Sequence, residues 1–275
     1  MMRILFFGDV FGKPGRQAVK RAILKLMPDY SPDFIIVNGE NASHGKGITE
    51  KIAHEFFDMG VDLITTGNHA WDQADSIDFY AKCDRLLRPA NYADADPPLV
   101  PGKGVAIIES KNRPNLRLGV VLLMGRVFMD ALECPFHRGK REIAKMKAAG
   151  VRNILVDFHG EASSEKQAFT WFMDGQVSAV VGTHSHVQTA DERVSPAGTA
   201  AITDVGMSGC FDSVIGMRKD LVIRKFLTKM PVRFEPAEGP GGYGCVIIDI
   251  DEKTGKATNI VRLRESVIQW EGPEI

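Results

Sequence analysis

The chain has 275 residues, enough for one large domain or two small ones and ample for a buried core. Apolar residues make up 44% and charged residues 25%, which is ordinary for a soluble globular protein. A formal net charge of -1 excludes a global field that would recruit nucleic acid or an acidic membrane surface.

In chain order, the N-terminal Met1-Met2-Arg3 leads into a short apolar run that soon meets Gly8 and Asp9. That run is too short for a signal peptide, and no later one approaches the ~20 apolar residues of a membrane span. The expected location is therefore the cytoplasm, where Cys83, Cys134, Cys210 and Cys245, far apart and without a CxxC pair, read as free thiols. Arg3 to Gly8 is a short apolar run, as a buried parallel strand should be. Ala18, Val19, Ala22, Ile23 and Leu26 give helical spacing over Arg16 to Met27. Phe34 to Val37 is a second strand, and Thr49 caps a helix running through Phe57 to a stop at Gly60. Asp62 to Thr66 is a third strand, followed by a helix over Asp75 to Lys82. The β-α-β-α-β-α order is the signature of a doubly wound sheet. Pro89, Pro97, Pro98 and Pro101 make Arg88 to Gly104 a loop. Strands are predicted at Val105 to Glu109 and Arg117 to Leu123, with a turn around Asn112 to Asn115, then a basic helix over Lys140 to Ala149. The second half resumes with strand Asn153 to Phe158, helix Ser164 to Met173, and strands Ala179 to Gly182 and Ala200 to Asp204. A helix near Asp220 to Leu227 precedes a hairpin, Tyr243 to Ile250 and Ala257 to Arg264, turned at Thr254-Gly255. Without a repeat, low-complexity tract or linker, residues 1–275 are expected to form a single domain.

The chemistry lies just past the strand ends. Gly8-Asp9 comes after the first strand, Gly39-Glu40-Asn41 after the second and Gly67-Asn68-His69 after the third. His159 comes after the strand at 153, and Gly182-Thr183-His184-Ser185-His186 after the strand at 179. In open α/β sheets the site lies at the carboxyl ends of the strands, and a glycine before the ligand allows a sharp turn there. In the His-x-His pair, alternate residues of an extended chain point the same way. Each residue alone has a bland reading: Asp9 as a cap, Asn68 as a turn residue, His159 as a buried hydrogen-bonded histidine. Five such residues at equivalent sheet positions do not. Carboxylates, amide oxygens and imidazoles without cysteine suit Mn, Fe or Zn. Their number suits two ions ~3.5–4 Å apart, which clamp the attacking and leaving oxygens of a phosphoryl displacement.

This order of motifs resembles the calcineurin-like metallophosphoesterase superfamily. The finer wording resembles its YmdB-like 2′,3′-cyclic-nucleotide phosphodiesterase branch. The stretches that carry it are Gly8-Asp9-Val10-Phe11-Gly12, Asn38-Gly39-Glu40-Asn41-Ala42, Gly67-Asn68-His69-Ala70-Trp71-Asp72, Val156 to Ala162, Val181 to Asp191 and Thr203 to Met207. The broader superfamily has Asp-x-His where this chain has Phe11, and Gly-Asp where it has Gly39-Glu40; both departures are similar to the branch. The resemblance implies a layered α/β fold, with a mainly parallel core extended into a two-sheet sandwich and helices outside. It implies that Asp9, Asn41 and His186 hold one ion, that Asn68, His159 and His184 hold the other, and that Glu40 bridges them. It further implies two divalent or mixed-valence ions, Fe or Mn favoured, a hydroxide nucleophile between them, and His69 as general acid or charge neutraliser. The implied partner is a cyclic nucleotide or another small phosphodiester, in a bacterial cytoplasm.

Other residues carry weaker signals. His44 and Lys46 in a glycine-rich loop are candidates to meet substrate, against a mobile surface loop. Arg126 suits a phosphate or a structural salt bridge, and Asp157 is a candidate to orient His159. His54 and His137 receive no role. The basic stretches Arg138 to Arg152 and Arg218 to Arg233 read chiefly as solvated helix faces, with an RNA link as the other reading. Two functions stay open beside a phosphodiesterase: a monoesterase or protein phosphatase on the same site, and a regulator of RNA turnover with incidental catalysis. Metal identity, physiological substrate and a homo-oligomeric state stay open too.

Overall fold

Strands that are apolar on both faces must be covered on both sides, and the protein does this with four layers. A computed structural model describes residues 1–93 and 99–267. Its strands are β1 (Met2–Phe7), β2 (Phe34–Asn38), β3 (Leu63–Thr65), β4 (Val105–Glu109), β5 (Arg117–Met124), β6 (Ile154–His159), β7 (Ala179–Thr183), β8 (Arg193–Val194), β9 (Ala200–Ile202), β10 (Gly209–Cys210), β11 (Gly241–Asp251) and β12 (Lys256–Glu265). Its α-helices are α1 (Gly12–Tyr30), α2 (Glu50–Asp58), α3 (Ile77–Lys82), α4 (Pro135–Ala148), α5 (Ser163–Phe172) and α6 (Lys219–Thr228).

The strands form two six-stranded sheets. In the first, β1, β2 and β3 run parallel, while β11 lies antiparallel to β1 and carries β12 and β10. In the second, β5, β6, β7 and β9 run parallel, with β4 and β8 antiparallel at its edges. Side chains alternate across β1. Ile4 and Phe6 face the second sheet and share a core with Val120, Leu122, Leu155 and Val181. Leu5 and Phe7 face the other way, toward Val19 and Ile23 of α1 and Ile52 and Phe56 of α2. The second sheet repeats the arrangement: Val121, Leu123, Val156 and Phe158 pack under Ile143 and Met146 of α4 and Phe169 of α5. Each fully buried Phe or Leu contributes about 1.5–3 kcal/mol of transfer free energy. Burial of both faces of these apolar strands therefore stabilises the sandwich.

Most predicted elements lie within two residues of their observed bounds, and β4 has the expected ones. Thr49 caps α2, its side chain accepting from the backbone N–H of Ile52 at 3.3 Å. Differences have local causes. α4 starts five residues before Lys140, because Pro135 suits a first helical turn and Arg138 is drawn inward by ion pairs to Glu133 and Glu142. The predicted helix at Asp75 begins as a 3₁₀ turn over Ala74–Ser76. The two-residue strands β8 and β10 are too short to leave a periodic signal. The two-sheet sandwich with helices outside that the resemblance implies is the fold observed; it departs from a doubly wound sheet in that helices cover one face of each sheet, because the inner faces cover each other. Pro97 and Pro98 of the predicted loop lie outside the described residues. Cys83, Cys134, Cys210 and Cys245 are free thiols. Among the described residues, no helix is long and apolar enough to cross a membrane.

Candidate metal centre

The parallel strands of the two sheets end beside one another, and their C-terminal ends gather the candidate ligands. Asp9 follows β1, Glu40 and Asn41 follow β2, Asn68 and His69 follow β3, His159 closes β6, and His184 and His186 follow β7. Asp9, Glu40, Asn41 and His159 are at most 2% exposed. Two groups emerge whose ligand-capable atoms lie within 4.8 Å of one another: Glu40 with His159 and His184, and Asp9 with Glu40 and His186. Glu40 belongs to both. The two asparagines join them, Asn68 Oδ1 lying 2.9 Å from His159 Nε2 and Asn41 Oδ1 3.2 Å from His186 Nε2. His69 is in neither group.

Hydrogen bonds behind the rings decide which nitrogen each histidine presents. His159 Nδ1 meets the Thr183 hydroxyl at 2.9 Å, and that hydroxyl donates to Asp157 at 2.7 Å, so Nδ1 carries the proton. His186 Nδ1 donates to the Ile215 carbonyl at 2.8 Å. His184 Nε2 lies 3.0 Å from the Glu161 carboxylate, and His184 Nδ1 faces His159. The front atoms are then His159 Nε2, His184 Nδ1 and His186 Nε2. His159 Nε2 lies 3.0 Å from His184 Nδ1, 2.9 Å from Asn68 Oδ1 and 3.2 Å from Glu40 Oε1. One proton on Nε2 can point at only one of those three acceptors, whereas a cation among them satisfies all four atoms. The second group has the same deficit: Asp9 Oδ1 is buried with no hydrogen-bond partner among the described residues. The donor set fits metal ions.

The electrostatics carry the same imprint. Against the cost of burial, Glu40 and its neighbours push His159 up to about 9. Although burial opposes ionisation, the charge of His159 and its hydrogen bond pull Glu40 down to about 2. Burial and the charge on His159 hold His184 down to about 3, which keeps it neutral and able to offer Nδ1. Burial raises Asp9 and takes Asp157 up to about 6. The carboxylates around His159 thus favour positive charge at this point, which is what a divalent ion would supply.

Two local expectations change. Gly8, Gly39, Gly67 and Gly182 are not among the positive-φ glycines, so a sharp turn is not what requires them. Close approach is: a Cβ on Gly67 would lie 2.3 Å from Glu40 Oε2 and His159 Nε2, and one on Gly182 would lie 1.8 Å from the Thr203 carbonyl. Nor do His184 and His186 point the same way from an extended chain. Both have positive φ, 104° and 65°, so the backbone turns between them and delivers one to each group. The buried Lys166–Asp204 pair at 2.6 Å holds that loop, Asp204 also accepting from the backbone N–H of Ser185 at 3.0 Å.

His69 stands apart, with Nδ1 2.8 Å from Asp72 and its backbone N–H donating to Glu40 at 3.3 Å. Phe11, where the broader superfamily has histidine, packs its ring edgewise on His186 at 5.6 Å. Thr183, Glu161 and Asp72 received no role from sequence; all three lie inside the motifs that carry the family resemblance, which is the only signal they left. Between Asp157 and His159 stands the Thr183 hydroxyl, which donates to Asp157 and meets His159 Nδ1. His44 is exposed and lines a cavity of about 920 Å³ with Phe11, Lys13, Gln17 and Arg218. Lys46 and Arg126 are exposed. Much of the basic stretches is paired internally: Arg141 with Glu133, Lys145 with Glu142, Arg218 with Asp220 and Glu235, and Lys219 with Asp212.

Known proteins are similar to this one along nearly the whole chain. A 2′,3′-cyclic-nucleotide 2′-phosphodiesterase of Bacillus subtilis is 49% identical over 262 residues, covering 95% of this chain and 96% of that protein. The crystal structure of a hypothetical protein from Thermus thermophilus matches with a TM-score of 0.87 at 37% identity, over 99% of this chain and 100% of that one. The crystal structure of a novel phosphatase from Mycoplasma pneumoniae matches with a TM-score of 0.87 at 34% identity, over 96% and 93% of the two chains. The family model described as YmdB-like protein spans residues 5–263. With its two-sheet fold of the metallophosphoesterase type, the chain belongs to the YmdB-like protein family.

Proposed function

We propose that the protein is a two-metal phosphodiesterase that hydrolyses 2′,3′-cyclic nucleotides. The observation that supports this most is the convergence of His159 Nε2, His184 Nδ1, Asn68 Oδ1 and Glu40 Oε1 in a partly buried cluster that one proton cannot satisfy. The Bacillus subtilis relative supports the substrate. Asp9, Asn41 and His186 would hold one ion, Asn68, His159 and His184 the other, and Glu40 both. Oxygen and imidazole ligands without thiolate suit manganese, iron or zinc, and of these the family resemblance favours iron or manganese. Such a pair of ions supplies an acidified water and neutralises charge on the phosphoryl oxygens.

The remaining chemistry belongs to the chain. Glu40 ties the two groups together through one carboxylate. His69 Nδ1 lies 2.8 Å from Asp72, which orients the ring and leaves Nε2 as the atom to serve the substrate. From there His69 donates a proton to the departing ribose oxygen. The test is kcat/KM for 2′,3′-cyclic adenosine monophosphate against p-nitrophenyl phosphate, with metal content by elemental analysis. We expect two ions per chain and a strong diester preference. A strong monoester preference would move the assignment to a phosphatase.

A further inference from the structure

We propose that Thr183 and Asp157 are positioning residues: a hydroxyl-bridged link from a buried carboxylate fixes which nitrogen His159 offers to an ion. The inference rests on the two-ion reading above.

Asp157 lies two residues before His159 on β6, so both side chains emerge on the face of Leu155, between the sheets. Asp157 is 0% exposed. Its Oδ1 accepts from the Thr183 hydroxyl at 2.7 Å, and its Oδ2 from the Thr65 hydroxyl at 2.6 Å and Asn38 Nδ2 at 3.2 Å. A hydroxyl has one proton. Because Thr183 gives its proton to Asp157, it can only accept from His159 Nδ1, at 2.9 Å. The proton of a neutral His159 is thereby held on Nδ1, and Nε2 is left bare toward Glu40, Asn68 and His184.

The same carboxylate joins the two sheets at the centre. Asn38 and Thr65 end β2 and β3, the strands that lead to Glu40 and Asn68, while Thr183 ends β7, which leads to His184. One buried group therefore sets the ring of His159 and holds the two halves of its ligand set in register. Removing such a partner behind a metal-binding histidine typically costs 10–100-fold in metal affinity.

The experiment compares Thr183→Val, Thr183→Ser and Asp157→Asn in the full chain, with manganese as the probe. Manganese is titrated into each protein, the bound ions per chain are counted, and melting temperatures are taken without metal. Thr183→Val keeps the shape but loses the hydroxyl, and should weaken one of the two ions about 10–100-fold while leaving the other. Thr183→Ser should restore it, and Asp157→Asn should resemble Thr183→Val. A merely structural role would lower the metal-free melting temperature and weaken both ions together. Wild-type affinity at both positions in Thr183→Val, or equal loss in the Val and Ser variants, would overturn the inference while leaving the two-ion reading intact. A wild-type chain that binds no manganese would overturn both.

Discussion

A histidine holds a metal through a nitrogen without a proton, so the atom behind the ring controls what its front can do. Three histidines here have a hydrogen-bonded rear partner, Thr183, the Ile215 carbonyl and Asp72, and a fourth, His184, has the Glu161 carboxylate 3.0 Å behind it. Three of the four front nitrogens lie among other ligand-capable atoms, and that of His69 does not. His69→Ala should therefore keep both ions yet lose about 10²–10⁴-fold in kcat on a cyclic nucleotide, whose leaving alkoxide needs a proton. Loss on bis(p-nitrophenyl) phosphate should be smaller, because nitrophenolate leaves without one. Metal content and kcat on both substrates check this, and a missing ion in the variant would make His69 a ligand. Gly67 provides a second residue-scale test. Its missing Cβ is the space in which Glu40 and His159 meet, with contacts of 2.3 Å if one is added. Gly67→Ala should fold, since its backbone is not left-handed, but should bind manganese at least about tenfold more weakly, in line with disturbed ligand support. Unchanged affinity by titration would show that the ligands have room to move.

Beyond single residues, the elements act by ending in the same place. Parallel strands of one sheet finish at one end, and two facing sheets bring two such ends together. The loop after β7 is anchored by Asp191, which accepts from Thr189 Oγ1 at 2.7 Å, the backbone N–H of Thr203 at 3.1 Å and Gln167 Nε2 at 2.7 Å. Burial opposes ionisation of Asp191, but the Thr203 and Thr189 hydroxyls outweigh it and lower its pKa below the ordinary carboxylate value. A carboxylate lowered on folding adds stability above its unfolded pKa and loses it as pH falls through the folded one. Asp191→Asn should thus lower the melting temperature at neutral pH by about 2–4 °C, the effect of ~1 kcal/mol in a domain of this size. The gap from wild type should close as pH drops below about 4. Melting curves from about pH 3 to about pH 7 decide it; a gap that persists in acid would assign the effect to packing.

For the whole molecule, ligands from both sheets converge on one centre, so ions would bind the folded chain and not the unfolded one. Linkage then adds about 4 kcal/mol at a thousandfold excess of metal over its dissociation constant. Removing metal with a chelator should lower the melting temperature by roughly 10 °C. Restoring manganese should recover it. Calorimetry with and without chelator measures the difference, and identical curves would mean the centre is not loaded in the folded protein.

The strands and the places where ligands occur were legible in sequence because both are local. An apolar run such as Arg3 to Gly8 must be buried, and Gly-Asn-His after a strand must fall at its end. Cap chemistry at Thr49 was equally local. The facing of one element against another left no such local signal and was legible only through the family resemblance, which implied the two-sheet sandwich. Whether helices cover one or both faces of a sheet depends on the second sheet, which the chain supplies only later, from β4 (Val105–Glu109) and β5 (Arg117–Met124) onward. The need for Gly67 comes from Glu40 and His159, and the protonation of His159 from Thr183 and Asp157. The positive φ of His184 and His186 overrides the alternation expected of an extended pair. Sequence determined which groups could bind metal; only the packing of two sheets decided which atoms they present, because hydrogen-bond direction and steric clearance are set across distances the chain order does not encode.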